Sequence, residues 1–165
     1  MNTLKKEYIF KNNIFVLEME CTEMTYKIYI TIDKKRYIIS RGWLLNNEII
    51  IDDIMLQDLK YQKMFKNNKI DKYMNKGFYL KYTGKGYGTA TLKHIIEFAK
   101  QNNFHTIKGE LAEIDKNTKI DPTHRERQIH FYKKFEFKIL PNEQNPKKIE
   151  LNFNERSCQN ELGEN

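Results

Sequence analysis

Four β-type segments follow one another between residues 13 and 56 with no helical stretch between them, and that run restricts the architectures open to the chain. They are NIFVLEME (13–20), TYKIYITI (25–32), RYIISRGW (36–43) and EIIIDDIML (48–56). All are rich in Ile, Tyr, Val and Phe, residues that suit a pleated, half-buried surface. The link Asp33-Lys34-Lys35 after Ile32 predicts a tight hairpin connection, and Asn46-Asn47 predicts a further turn. Trp43, at the end of the third segment, is expected in the core or in a pocket wall.

Further on the hydrophobic period changes. From Thr89, Leu92, Ile95, Ile96 and Ala99 recur on one face of a helix, with Lys93, Glu97 and Lys100 opposite, until Asn102-Asn103 ends it. HTIKGEL (105–111) alternates Ile107, Gly109 and Leu111 as a strand. Asp121-Pro122 is a helix-start signal, with Asp as N-cap and Pro at the first helical position. The helix it opens carries Ile129 and Tyr132 on one side as far as about Lys134. FEFKIL (135–140) and KKIELNF (147–153) are two more strands, around a loop that bears Pro141 and Pro146. Strands, glycine loop, helix, strand, helix, strand and strand make a mixed α/β or α+β domain around one sheet. Residues 58–76 are lysine-rich, lack Gly and Pro, and are expected to form a surface insertion with GFYLKY (77–82) as its exit strand. The expected domain is 1–153, followed by a loose tail at 154–165.

The whole chain of 165 residues is long enough to bury one core, and 39% hydrophobic residues make it a globular composition. Its apolar runs stop far short of the roughly 20 residues of a membrane span. No apolar stretch follows the lysines of MNTLKKEYIF, so no secretory signal is expected. Cys21 and Cys158 stand alone, without a CxxC or histidines at ligand spacing. They read as reduced thiols of a cytoplasmic protein, with no metal site expected. The net charge of +7 suits a nucleic-acid partner, but also a lysine-rich coding bias or a basic rim around an anionic cofactor.

The glycine loop narrows the choice. YTGKGYGTATLKHIIEFAK (82–100) places Gly84, Gly86 and Gly88 in five positions just ahead of the helix. A Walker A loop needs Gly-Lys-Ser/Thr at its end, which is absent. The dinucleotide fingerprint needs a third Gly or Ala where Thr89 or Thr91 stands. The kinase loop lies between two strands. What remains is a Gly-x-Gly-x-Gly stretch at a helix start, where bare amides and the helix dipole favour a pyrophosphate. A glycine turn that merely redirects the chain has the same spelling.

Taken together, GKGYGTATLKHIIEFAK, IKGEL and RQIHFYKKFEFKI resemble, in order and spacing, the GNAT superfamily of acyl-CoA-dependent N-acyltransferases, over about residues 48–140. The resemblance implies one domain with a mixed, mostly antiparallel sheet of six to seven strands flanked by helices. It implies that Gly84, Lys85, Gly86, Tyr87, Gly88 and Thr89 hold the pyrophosphate of acetyl-CoA. It further implies that amides near Met55 and Leu56 hold the pantetheine arm and that Tyr132 lies near the sulfur. EIIIDDIML is the favoured cofactor strand, with GFYLKY as the alternative. Thr83 stands at the family's Arg or Gln position, Glu136 replaces the Gly of FYxKxGF, and Arg125 and Gln128 replace small or amide residues.

Acyl transfer needs a neutral amine, a polarised thioester carbonyl and a proton for the departing thiolate. The expected function is therefore transfer of an acetyl group to an amine whose identity the sequence leaves open. Tyr132 is the expected general acid. Glu110 and Asp53 are the candidate bases, since a carboxylate among apolar neighbours acts near neutral pH, and His124 and His130 are weaker ones. The alternative is a basic binding module without catalysis, in which KKRYIISRGW stacks bases, although nucleic acid and membrane are not the expected partners. Oligomeric state, a dimer included, is left open.

Overall fold

The structure, a computed structural model, describes residues 2–10, 13–57, 84–111, 124–142, 144 and 146–153. Strands β1 (Asn2–Phe10), β2 (Asn13–Cys21), β3 (Thr25–Ile32), β4 (Lys35–Leu45) and β5 (Glu48–Gln57) come first. Helix α1 (Tyr87–Gln101), β6 (Thr106–Glu110), α2 (His124–Lys133), β7 (Lys138–Pro141) and β8 (Pro146–Asn152) follow. The expected insertion at 58–76, the alternative cofactor strand at 77–82, the Asp121-Pro122 cap and the tail lie outside the described residues.

The strands form one eight-stranded sheet in the order β1-β2-β3-β4-β5-β6-β8-β7. It is mixed and mostly antiparallel, with β5 and β6 parallel. Eight strands replace the six to seven expected, because β1 was not foreseen. The chain divides into two compact units, Met1–Leu44 with Asp52–Phe98 and Leu45–Ile51 with Ala99–Asn165.

In the first unit β1, β2, β3 and β4 pair antiparallel in chain order. β1 pairs with β2 from Asn2↔Cys21 to Phe10↔Asn13. β3 and β4 join through Asp33 and Lys34 at φ 50° and 62°. Two consecutive left-handed residues are the signature of the type I′ hairpin, whose twist matches that of the strands. Alternation then sends Phe15, Leu17 and Met19 of β2 and Tyr26, Ile28, Ile30 and Ile32 of β3 into the core with Leu92 and Ile95 of α1. Trp43 has the opposite parity. Paired with Thr25, it is 42% exposed, which corrects its expected place in the core.

In the second unit the parallel pair β5–β6 runs from Glu48↔Thr106 to Ile51↔Gly109. Gly109 permits that pairing: a Cβ there would stand 3.2 Å from the Ile51 carbonyl oxygen and 3.3 Å from the Ile149 side chain. Ile49, Ile51, Ile107, Ile139, Ile149 and Leu151 form the buried centre of this unit.

Both described helices end in the same way. Asn103 (φ 57°) follows α1, with the Phe104 amide donating to the Ala99 carbonyl at 2.9 Å and that of Asn103 to Lys100 at 3.4 Å. Glu136 (φ 63°) follows α2, with Phe137 donating to the Tyr132 carbonyl at 3.3 Å and Glu136 to Lys133 at 2.8 Å. These are two Schellman motifs, the second completed by the Tyr132 and Phe137 rings, 5.6 Å apart. The expected strand at 135–140 therefore starts later, at Lys138, because residues 135–137 make the helix exit.

Candidate functional site

Two of the loop glycines adopt conformations that other residues avoid. Gly84 and Gly86 lie at φ 74° and 83°, inside the left-handed region. A side chain at 84 would meet nothing within 4 Å, so crowding does not explain the glycine there; the backbone angle does. Gly86 caps the helix: its carbonyl accepts from the Ala90 amide at 2.9 Å, which makes Gly88 the second helical residue and Thr89 the third. An acidic residue in the first turn would satisfy the positive end of the helix, and α1 has none there. Lys85 is exposed beside it.

Behind the loop the helix is anchored by its side chains. The Tyr87 ring is buried against Phe15 of β2, edge to face at 4.8 Å. Thr91, fully buried, donates from its hydroxyl to the Tyr87 carbonyl at 2.9 Å. The helix start that carries the glycines is thus fixed to the sheet of its own unit.

Asp53, Met55 and Leu56 lie on β5 beyond Ile51, where the β6 ladder ends; their side chains are outside the description. Glu110 closes β6, exposed, with Lys148 as its ladder partner on β8. Tyr132 is buried on α2, its ring edge to face with Phe131 at 5.0 Å and with Phe137. The loop thus belongs to the first unit, Tyr132 and Glu110 to the second. His130 is exposed. A shallow surface groove of about 320 Å³, lined by Lys100, Asn103, Phe104, His105 and Phe153, contains none of these residues.

The segment proposed to stack bases is occupied otherwise. Arg36 lies 3.6 Å from the Tyr29 ring centroid and pairs with Glu20 at 2.6 Å and Glu18 at 3.3 Å. Arg41 pairs with Asp52 at 2.8 Å. Both arginines have carboxylate partners, while Lys34 and Lys35 of the same segment are exposed.

One polar group escaped the sequence reading. His94 on α1 is 0% exposed, and its Nδ1 lies 2.9 Å from the Tyr8 hydroxyl of β1. Its position between Leu92 and Ile95 on the apolar side of the helix was the available signal. Among the described residues, no group of three or more His, Cys, Asp or Glu is placed to hold a metal ion. No helix of the described residues is long and apolar enough to cross a membrane. No family model matches the chain, and no curated protein is similar enough to match it.

Proposed function

We propose that the protein is an acyl-CoA-dependent N-acyltransferase that transfers an acetyl group from acetyl-CoA to an amine. The observation that carries this reading is the helix start of α1: Gly84 and Gly86 in left-handed conformations, a glycine cap, and no acidic residue in the first turn. Amides there, reinforced by the helix dipole, suit the diphosphate of CoA. The order β5, loop, α1, β6, α2, β7 agrees with the resemblance to the GNAT superfamily.

On this reading the amine, neutral when it reacts, attacks the thioester carbon directly. An amide of β5 near Met55 or Leu56 polarises the carbonyl, and Glu110 or Asp53 accepts the proton lost by the amine. Collapse of the tetrahedral adduct expels the CoA thiolate, which Tyr132 protonates. The acceptor is an amine of unassigned structure.

Gly88→Glu tests the loop. A carboxylate in the first turn and the loss of a helical glycine both favour the helix. The same negative charge repels a diphosphate. The expected result is an unchanged or raised melting temperature with acetyl-CoA affinity reduced at least tenfold by calorimetry. Undiminished affinity in a folded variant would refute the assignment of this loop.

A further inference from the structure

Strand β1 is an edge of the sheet, and its pattern is inverted for a strand with one buried face. Ile9 points outward, 72% exposed. Lys6 takes the parity of Leu4 and Tyr8, the parity that faces α1, and it pairs there with Glu97 at 2.6 Å. One turn of α1 away from Glu97, His94 meets the Tyr8 hydroxyl at 2.9 Å, with the two rings edge to face at 5.8 Å. The Lys6 ammonium also stands 5.4 Å from the Tyr8 ring centroid. β1 and α1 are therefore joined by a polar chain, Lys6–Glu97 at the surface and Tyr8–His94 inside.

The inner end of that chain is poised. His94 Nε2 is buried and has no hydrogen-bond partner among the described residues. A neutral imidazole satisfies one nitrogen through Tyr8; an imidazolium would add a charge to a buried ring and a second N–H donor, with the Leu4 carbonyl as the acceptor that faces it. We propose that Lys6–Glu97–Tyr8–His94 is an acid-released latch, which holds the edge strand β1 on helix α1 at neutral pH and lets it go when His94 takes up a proton.

Among the described residues, the groups around the imidazole and its tyrosine partner come from β1, α1 and β2. β1 supplies the Leu4 carbonyl, Lys6 and Tyr8; α1 supplies Glu97; and β2 supplies Phe15, which carries no charge and stacks on Tyr8 at 6.1 Å. Burial lowers the pKa of His94 most; Glu97 opposes this, Lys6 adds to it, and the Leu4 carbonyl opposes it. The hydroxyl of Tyr8 stays protonated, since burial pushes it up and the Glu97 charge and hydrogen bond push it further. With its folded value depressed, His94 binds fewer protons folded than unfolded below its ordinary pKa of about 6.5. Its contribution to stability is complete above that pH and is lost as the pH falls.

Amide hydrogen exchange of β1 against β3, corrected for intrinsic rates, reads the latch directly. Between pH 7.5 and 5.5 the wild-type protection of residues 4–9 should drop at least tenfold while that of β3 holds. His94→Gln, which does not titrate, should abolish the drop, and His105→Gln, at an exposed site, should retain it. Equal wild-type protection at both pH values, or an unchanged drop in folded His94→Gln, overturns the proposal. Should His94→Gln fail to fold, the His94 ring titration in the wild type decides by NMR: a midpoint below 6.5 supports the latch and one at or above 6.5 overturns it.

Discussion

Glu136 shows what a single backbone angle asks of a side chain. It holds the left-handed position of the Schellman motif at φ 63°, the place where the resembling family has glycine. A Cβ in that region costs on the order of 1 kcal/mol. Glu136→Gly removes the cost and keeps both capping hydrogen bonds, so thermal unfolding should rise by roughly 2–4 °C for a chain of this size. An unchanged or lower midpoint would show that the carboxylate makes up the difference. Tyr132, four residues before Glu136, has two parts to separate. Its ring packs against Phe131 and Phe137, and that packing survives Tyr132→Phe. If the hydroxyl protonates the leaving thiolate, acyl transfer should fall at least tenfold, within the ~10²–10⁴ span of general acids, at constant CoA affinity and melting temperature. A full rate with Phe would leave Tyr132 only a structural residue of the helix exit.

At the scale of elements, regular pattern was readable and compensated pattern was not. β3 is Thr25–Ile32 as its alternation predicts, and β2, β4 and β5 differ from their sequence spans by one or two residues at an end. Glu136 stands where the resembled motif has Gly and takes the αL conformation all the same, and the end of α1 follows from Asn102-Asn103. β1 stayed hidden because Lys5, Lys6 and Glu7 interrupt any apolar alternation, and because the lysine on its helix-facing side is paired at the surface with Glu97, 91 residues away. His94 stayed hidden for a like reason: the partner that makes a buried imidazole tolerable lies on that same unread strand. Trp43 is not in the core, one of the two places expected for it, because it shares its side of β4 with Arg41, a residue paired to exposed Asp52. For the site, the glycine loop ahead of a helix was legible from spacing, whereas the left-handed angles at Gly84 and Gly86 and the start of α1 at Tyr87 were not. The exposure of Glu110 agrees with the alternation of Ile107, Gly109 and Leu111, which leaves residue 110 on the outward side of β6.

Over the whole molecule, neither compact unit is contiguous in sequence, because Leu45–Ile51 belongs with residues from Ala99 onward. That arrangement has a consequence for the order in which a ribosome delivers the chain. Glu48–Ile51 leaves the exit tunnel well before Thr106–Gly109, its parallel partners. At synthesis rates of about 5–20 residues per second, β6 arrives several seconds after the isoleucines of β5. A nascent chain arrested after Phe104 should accordingly leave Ile49–Ile51 unprotected from exchange and should bind a hydrophobic dye. Arrest far enough downstream to expose β6 and β8 should suppress both signals. Protection of Ile49–Ile51 already at the earlier arrest would mean that the first unit shelters β5 by itself. Until β6 emerges, the isoleucines of β5 have to be kept from other chains, so the yield of folded protein should depend on translation speed and on chaperone supply across that interval.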